Sequence, residues 1–298
     1  MTRHLLNIVD FSASELAVVL DLSQRNDLPR VLGGQGVALI FEKPSTRTRH
    51  SMEMAVFRLG GHPVFTQRDE IAFDERESVE DITRVLAGYH GILAARTFSH
   101  ETVQRMAAVS AVPVVNLLSD YSHPLQAIAD VLTMQQVHGP LAGRKIAYIG
   151  DYNNVARSLA EACVLLGANL ALGCPPGYAA TDDELSRLNA RDAGRVTQVH
   201  SAVEAVADAI AVHTDSWTSM GQEAQREVRR RSFAGYTVDA ALMAAAAPGA
   251  GFYHCLPAHR GEEVTAEVID GPSSHVLAQA HNRLNAACGA LAFLKGVR

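Results

Sequence analysis

Residues 36–61 read GVALIFEKPSTRTRHSMEMAVFRLGG, and this stretch decides the fold class. The apolar run GVALIFE predicts a buried strand that ends before Pro44. The residues that follow carry apolar side chains at helical intervals up to two glycines, which predicts a helix over residues 46–59. A strand that leads directly into a helix is the repeating unit of an α/β protein.

The hydroxyls and arginines of residues 45–49 fit two different roles at this helix N-terminus. The unpaired first N–H groups and the positive end of the helix dipole attract a dianion such as phosphate, and hydroxyl and guanidinium groups can complete its coordination. Serine and threonine are also common helix caps, beside which arginines are merely solvated. The stretch by itself leaves both roles open.

Length and composition limit the class of protein. The chain has 298 residues, enough for two domains, and 48% of them are apolar. The net charge is −6 and the longest basic run is RRR at 229–231, so a nucleic-acid surface is not expected. With no apolar segment of roughly 20 residues and no apolar signal core at the start, a cytoplasmic protein without a membrane span is expected. The cysteines stand far apart without a CxxC pair, so no metal site is expected: Cys163, Cys174, Cys255 and Cys288.

Strand-like and helix-like segments alternate along the whole chain, which predicts parallel sheets covered by helices. The connection HGPLAGR at 138–144 interrupts the series, after which a second one begins. We therefore expect two doubly wound parallel-sheet domains, one of residues 1–137 plus 276–298 and one of residues 138–275, with the C-terminal helix returning to the first. The turn GDYNNVARS lacks the GxGxxG spacing of a dinucleotide site, so no nucleotide cofactor is expected.

Polar residues follow the predicted strands one after another. Ligands bind at the carboxyl ends of parallel strands, so these positions are candidates for a site. Taken singly, each is commonly a solvated charge, a turn residue or a core thiol. Their recurrence at successive strand ends favours a shared site. They are Arg96, His123, Gln126, Asn153, Asn154, Asp215, His254 and Cys255.

The segments STRTR, HPLQ, DSWTSMG and HCLP contain or adjoin these positions. They occur in the order and at about the spacing seen in ornithine carbamoyltransferases. The resemblance runs essentially from end to end. STRTR with HPxQ marks the wider family that includes the aspartate enzymes, whereas Asp215 with SMG and HCLP resembles the ornithine branch.

The resemblance implies a first domain that binds carbamoyl phosphate. Its phosphate would be held by the STRTR hydroxyls and arginine, and its carbamoyl group by donors that converge on the carbonyl oxygen. Arg283 in the last helix resembles the arginine that closes the same pocket. The implied carbamoyl phosphate residues are Ser45, Thr46, Arg47, Thr48, Arg96, His123, Gln126, Cys255, Leu256 and Arg283.

The second domain would bind L-ornithine through its α-amino and α-carboxylate groups, at positions Asn154, Asp215, Ser219 and Met220. The implied reaction is direct attack of the neutral δ-amine on the carbamoyl carbon through a tetrahedral intermediate, giving citrulline and phosphate. Cys255, with Asp215 nearby, would assist the amine without forming a covalent intermediate. The implied catalytic residues are Arg96, His123, Asp215 and Cys255.

The family also suggests a homotrimer or an assembly of trimers.

The chain departs from the family pattern in two places. The stretch DEIAFDERES matches a loop that in relatives crosses to the neighbouring subunit, yet Ala72 or Phe73 stands where a glutamine or histidine is common. His281 stands where many relatives have a glutamate.

Two other functions are weighed against this one. A carbamoyltransferase for another amine, such as putrescine or an acylated ornithine, is opposed by SMG together with Asp215. A non-catalytic binding protein on the same fold would be expected to have lost Arg47, Arg96, His123 or Cys255, and all four are present.

Overall fold

The computed structural model describes residues 2–191, 193–218 and 223–298. Strands and helices alternate along the chain and form two parallel sheets, which confirms the predicted fold class. The chain divides into two compact units. Unit 1 comprises the residues up to Ala129 together with Asn282–Arg298, and unit 2 comprises Asp130–His281. The predicted ornithine contacts Ser219 and Met220 lie outside the described residues.

Unit 1 contains a four-stranded parallel sheet in the order β2-β1-β3-β4. Along the chain, β2 is added on one side of β1 and β3 on the other, so the connections from these strands diverge between β1 and β3. Such a switch point opens a crevice at the carboxyl ends of the two strands. The four strands are β1 (Gly36–Phe41), β2 (His62–Gln67), β3 (His90–Arg96) and β4 (Val114–Leu118).

The helices within unit 1 are α1 (Ala13–Gln24), α2 (Thr46–Arg58), α3 (Arg68–Ile71), α4 (Val79–Tyr89) and α5 (His100–Val109). Of these, α1, α2, α4 and α5 each begin after a serine whose hydroxyl caps the first turn. The Ser12 hydroxyl accepts from the Glu15 amide in a complete capping box, as predicted for the first helix. The helix after β1 starts at Thr46 and ends at Arg58, close to its predicted limits.

Two longer helices cross the boundary between the units along the chain: α6 (Pro124–His138) and α13 (Val276–Leu294). The second half of α13 packs on α1, which confirms the predicted return of the last helix. A Cβ atom on Gly289 would lie 2.6 Å from the Val19 carbonyl oxygen, so only glycine lets the two helices approach this closely. The rings of Phe11 and Phe293 add an edge-to-face contact at 5.2 Å.

Unit 2 contains a five-stranded parallel sheet in the order β7-β6-β5-β8-β9, with its switch point between β5 and β8. Its strands are β5 (Lys145–Ile149), β6 (Asn169–Gly173), β7 (Arg195–Val199), β8 (Ala211–Thr214) and β9 (Gly251–His254). Its helices are α7 (Asn154–Leu165), α8 (Asp182–Asn189), α9 (Ala202–Val206), α10 (Arg226–Ser232), α11 (Ala240–Ala244) and α12 (Ala266–Ile269).

The register of the second sheet brings its polar strand ends together. Ile149 pairs with Thr214, and Thr214 pairs with His254, so the residues that follow β5, β8 and β9 leave the sheet at one level. The Thr214 hydroxyl also donates to the Ile149 carbonyl oxygen at 2.6 Å. Among the described residues, no helix is both long enough and apolar enough to span a bilayer.

Candidate active site

In unit 1, the STRTR segment forms the first turn of α2. The Ser45 hydroxyl accepts from the Thr48 amide at 3.3 Å and donates to the Thr48 hydroxyl at 3.1 Å. The first turn contains no acidic side chain, so the positive end of the helix dipole is not neutralised locally. Ser45 is thus a helix cap, and the same turn still offers backbone N–H groups and hydroxyls to an anion.

The two arginines of STRTR have different environments. Arg49 donates to Glu53 at 2.8 Å, and its guanidinium lies 3.7 Å from the centre of the Phe65 ring. Arg47 is half-buried, and its positive charge acts on His123. Of the two STRTR arginines, Arg47 is therefore the one whose charge acts on a predicted site residue.

Arg283 joins three segments that are far apart in the sequence. One of its terminal nitrogens donates to the Gln126 amide oxygen and lies 3.4 Å from His123 Nε2. The other donates to the Thr48 hydroxyl at 3.2 Å. All four side chains are buried. The structure thus brings together residues of STRTR, HPLQ and the last helix.

His123 is a neutral imidazole in this setting. Burial lowers its pKa well below the ordinary value, and the positive charges of Arg283, Arg96 and Arg47 lower it further. Because a guanidinium can only donate, His123 Nε2 accepts from Arg283, which leaves the proton of the neutral ring on Nδ1. His123 is therefore arranged as a hydrogen-bond donor at physiological pH.

Arg96 ends strand β3 and is 5% exposed. Its carbonyl oxygen accepts from the Glu42 amide at 2.9 Å, which fixes the carboxyl ends of β1 and β3 side by side. Lys43 lies nearby with its ammonium 4.5 Å from the centre of the Phe98 ring, and burial and the charge of Arg96 lower its pKa. The switch point of the first sheet thus gathers cationic side chains, with the carboxylates of Glu42 and Asp120 close enough to act on Lys43.

In unit 2, Asp215 and Cys255 are in direct contact. The Cys255 thiol donates to Asp215 Oδ1 at 3.0 Å, and the Ser216 amide donates to the same oxygen at 2.8 Å. Asn153 donates its amide N–H to Asp215 Oδ2 at 2.8 Å. The three strand ends predicted to converge do so here, with a carboxylate at the centre.

The turn that carries Cys255 is held by a buried histidine. His254 Nδ1 accepts from the Leu256 amide at 2.8 Å, so Nε2 carries the proton and donates to Glu263 at 3.1 Å. His254 and Glu263 are fully buried. Leu256 has a φ of 60°, in the left-handed region that few residues other than glycine adopt. The turn therefore points Cys255 and Leu256 in fixed directions.

An ion pair between Arg229 and the partly buried Asp151 holds the backbone that follows β8 at Trp217. Arg229 donates to Asp151 at 2.7 Å and to the Trp217 carbonyl oxygen at 2.8 Å, and it lies over the Tyr178 ring at 4.9 Å. Asn154, the other predicted ornithine contact, is half-buried at the first position of α7. The predicted contacts Asn154 and Asp215 thus stand at neighbouring strand ends of unit 2.

Comparisons with known proteins extend over nearly the whole chain. The family model described as the carbamoyl-P binding domain of aspartate/ornithine carbamoyltransferase matches residues 3–136, and that of the Asp/Orn binding domain matches residues 142–294. The ornithine carbamoyltransferase of Parafrankia sp. (strain EAN1pec) is 44% identical over 303 residues, which cover 98% of this chain and 96% of the relative. The solved structure of ornithine carbamoyltransferase from Pyrococcus furiosus superposes with a TM-score of 0.94 at 40% identity, covering 100% of this chain and 98% of that one.

The chain belongs to the aspartate/ornithine carbamoyltransferase family. The resemblance stated from STRTR, HPLQ, DSWTSMG and HCLP is thereby confirmed. The assignment of roles to single residues of this carbamoyltransferase stays a prediction.

The sequence names Asn153 and His254 as candidates at strand ends but does not indicate what they support. In this family member Asn153 stands directly before α7 and caps it. His254 holds the turn of HCLP. Glu263 and the Asp151–Arg229 pair gave no local signal, because their partners lie 9 and 78 residues away in the chain.

Among the described residues of unit 2, two groups of three donor side chains in this carbamoyltransferase have the spacing to hold a metal ion. In each group the donor atoms lie within 4.8 Å of one another. Internal hydrogen bonds and ion pairs account for both groups, including the contact of Glu262 with Arg226. The groups are Asp215 with His254 and Cys255, and His259 with Glu262 and Glu263.

Proposed function

We propose that this protein is an ornithine carbamoyltransferase, which transfers the carbamoyl group of carbamoyl phosphate to the δ-amine of L-ornithine and releases L-citrulline and phosphate. The observation that carries the proposal for the ornithine branch is the 3.0 Å contact between Cys255 and Asp215. It places a thiol and a carboxylate together at the switch point of the second sheet. Similarity at 44% identity to an ornithine carbamoyltransferase over 98% of the chain supports the same substrate.

Unit 1 is proposed to hold carbamoyl phosphate. The dianionic phosphate would bind at the N-terminus of α2, where Ser45, Thr46, Arg47 and Thr48 supply hydroxyl, guanidinium and backbone donors. The cationic surroundings described above support this assignment, since charge-assisted hydrogen bonds to phosphate oxygens are stronger than neutral ones. The phosphate would leave with its charge already stabilised.

The carbamoyl group is proposed to lie against Arg96, His123 and Gln126. Attack on the carbamoyl carbon moves negative charge onto its carbonyl oxygen, and donors preorganised at that oxygen lower the barrier. The neutral His123, with its proton on Nδ1, suits this role. Arg283 would orient His123 and Gln126 and add its own positive charge.

Unit 2 is proposed to hold L-ornithine through Asn154, Asp215, Ser219 and Met220. Asp215 would pair with the α-ammonium group, which requires an amino acid whose α-amino group is free. Cys255 and Leu256 would contact the δ-amine and the carbamoyl NH2. The DSWTSMG segment and the Cys255–Asp215 pair support ornithine over putrescine, which lacks the α-substituents, and over an acylated ornithine.

The chemical step is proposed to be direct attack by the neutral δ-amine. A free amine of this kind has a pKa of about 10.4, so the site must favour loss of its proton. The Cys255 sulfur would take up that proton as its own thiol proton passes to the Asp215 carboxylate. The new C–N bond forms a tetrahedral intermediate, and the C–O bond to phosphate then breaks. The excess proton on the attacking nitrogen would pass to the departing phosphate, which leaves as hydrogen phosphate, and no carbamoyl group is carried on the thiol.

The active assembly is proposed to be a homotrimer or a larger assembly of trimers. Large apolar side chains on the surface of unit 1 support association, among them Phe57 at 67% and Tyr89 at 73% exposure. The loop at residues 72–78 is held by Arg105, which makes two-pronged contacts with both Asp74 and Glu80. A cytoplasmic location is proposed because all four cysteines are present as thiols.

A citrulline assay with purified protein and carbamoyl phosphate tests the function. Ornithine, putrescine, aspartate and N-acetylornithine are offered in parallel at equal concentration. We expect product with ornithine at a rate at least a hundredfold above the other three acceptors. Equal inactivity with all four would favour the non-catalytic binding protein, and a preference for another amine would reject the ornithine assignment.

A further inference from the structure

Asn153 connects the cap of a helix to the carboxylate at the centre of unit 2. Its Oδ1 accepts from the amides of Val155 and Ala156, at 2.9 and 3.1 Å, and so caps α7. Because the amide oxygen faces the helix, the amide nitrogen faces the other way. It donates to Asp215 Oδ2 at 2.8 Å.

The Asp215 carboxylate is thereby held from both sides. Its Oδ1 receives the Ser216 amide at 2.8 Å and the Cys255 thiol at 3.0 Å, while Asn153 is bonded to Oδ2. A carboxylate with donors on one oxygen only can turn about its terminal bond, since that torsion is soft. The donor on the second oxygen fixes the rotation.

We propose that Asn153 is a positioning residue that keeps Asp215 Oδ1 turned toward the Cys255 thiol. The pairing of Ile149 with Thr214 holds the two strand ends at the distance this contact needs. Serine, threonine and aspartate cap helices about as well as asparagine. Asparagine alone among them combines the capping acceptor with an amide donor. This proposal rests on the proposed function, in which Asp215 and Cys255 serve ornithine.

Two substitutions separate the cap from the donor. Asn153→Ser keeps a capping oxygen but has no amide to reach Asp215, and Asn153→Asp keeps the cap but places a carboxylate against Oδ2. Asp239→Ala is the matched control, because it removes the N-cap of α11, whose side chain accepts from the Leu242 amide, without touching this network.

We expect Asn153→Ser to lower kcat/KM for ornithine roughly ten- to a hundredfold, as for a lost hydrogen bond to a charged group, with the affinity for carbamoyl phosphate kept within twofold. Asn153→Asp should add a further rising step on the acid side of the pH profile of kcat/KM, since two adjacent carboxylates share a proton. Asp239→Ala should lower the melting temperature and leave both kinetic readouts unchanged. A kcat/KM for Asn153→Ser within twofold of the wild type, or an Asn153→Asp profile that superimposes on the wild type, would overturn the proposal.

Alkylation of Cys255 by iodoacetamide reads the same network without turnover, because the other three cysteines are buried. We expect Asn153→Ser to raise the alkylation rate at least threefold at pH 8, because the thiol loses a fixed acceptor, and Asp239→Ala to leave it unchanged. A wild-type protein that makes no citrulline would reject the proposed function, and the alkylation rates would still decide the role of Asn153. Equal alkylation rates in all three proteins would reject that role.

Discussion

Arg283 makes contacts that no other cationic side chain can reproduce, so its replacement tests the carbamoyl phosphate assignment most directly. The guanidinium contacts Gln126, His123 and Thr48 through two different nitrogens and is 4% exposed. In Arg283→Lys the charge is kept, but a single ammonium nitrogen cannot reach acceptors on both sides. At least one hydrogen bond to a charged group is lost, worth about 1.5–3 kcal/mol.

That loss corresponds to a fall in kcat/KM for carbamoyl phosphate of roughly tenfold to a hundredfold for Arg283→Lys. Arg283→Met also removes the charge and every hydrogen bond that the guanidinium donates to these buried side chains, so a fall of about a thousandfold or more is expected. The assay is initial-rate citrulline formation at saturating ornithine, with calorimetry for carbamoyl phosphate binding. Arg49→Lys is the matched control, since Arg49 pairs with Glu53 on the helix surface, and its kcat/KM should stay within threefold of the wild type.

Either of two results would refute this reasoning about Arg283. Arg283→Lys with kcat/KM within threefold of the wild type would show that the fork geometry is not used. Normal carbamoyl phosphate kinetics combined with a raised KM for ornithine would place the arginine on the other substrate.

Three further predictions concern both units. Asp215→Asn should impair ornithine use at least a hundredfold while carbamoyl phosphate affinity stays nearly intact, and calorimetry showing the reverse pattern would exchange the two substrate assignments. Cys255→Ser should keep partial activity with altered ornithine affinity, whereas a carbamoyl group found on Cys255 by mass spectrometry, forming at the rate of turnover, would overturn direct attack. Burial, and then the neighbouring arginines, hold the pKa of His123 below its unfolded value of about 6.5. Below that pH the unfolded chain takes up a proton that the folded protein does not. The stability from this group is therefore complete above about pH 6.5, and the free energy of unfolding falls by about 1.4 kcal/mol per pH unit as the pH drops. In urea unfolding, His123→Asn should therefore show a shallower loss of stability between about pH 6.5 and 5 than the wild type, and equal slopes would contradict the buried neutral histidine.

The parts of the structure that the sequence predicts are those governed by local chemistry and by sheet topology. The start of α2 follows from Ser45, because a hydroxyl before a helical repeat satisfies the first free amide. The meeting of Asp215 and Cys255 follows from the rule that carboxyl ends of parallel strands share an edge. Neither inference needs the identity of a distant partner.

The parts of the structure that local sequence patterns do not predict depend on contacts between residues far apart in the chain. Arg283 donates to Thr48 across 235 residues, and no local pattern separates this arginine from a solvated one. Within STRTR, Arg47 and Arg49 look equivalent in sequence. Their environments differ because Glu53 on α2 and Phe65 on β2 contact Arg49.

The cationic side chains at the switch point of unit 1 also come from distant parts of the sequence. Arg47, Arg96 and Arg283 place positive charges near the buried imidazole of His123, and Arg96 also acts on Lys43, so the group carries a cost in free energy. Burial first, and neighbouring arginines second, lower the pKa of both Lys43 and His123. A bound phosphate dianion relieves that cost. Because the relief is greatest where charge is greatest, the arrangement would favour a doubly charged ligand over a neutral amide, and carbamoyl phosphate bound here would be held chiefly by the group that later departs.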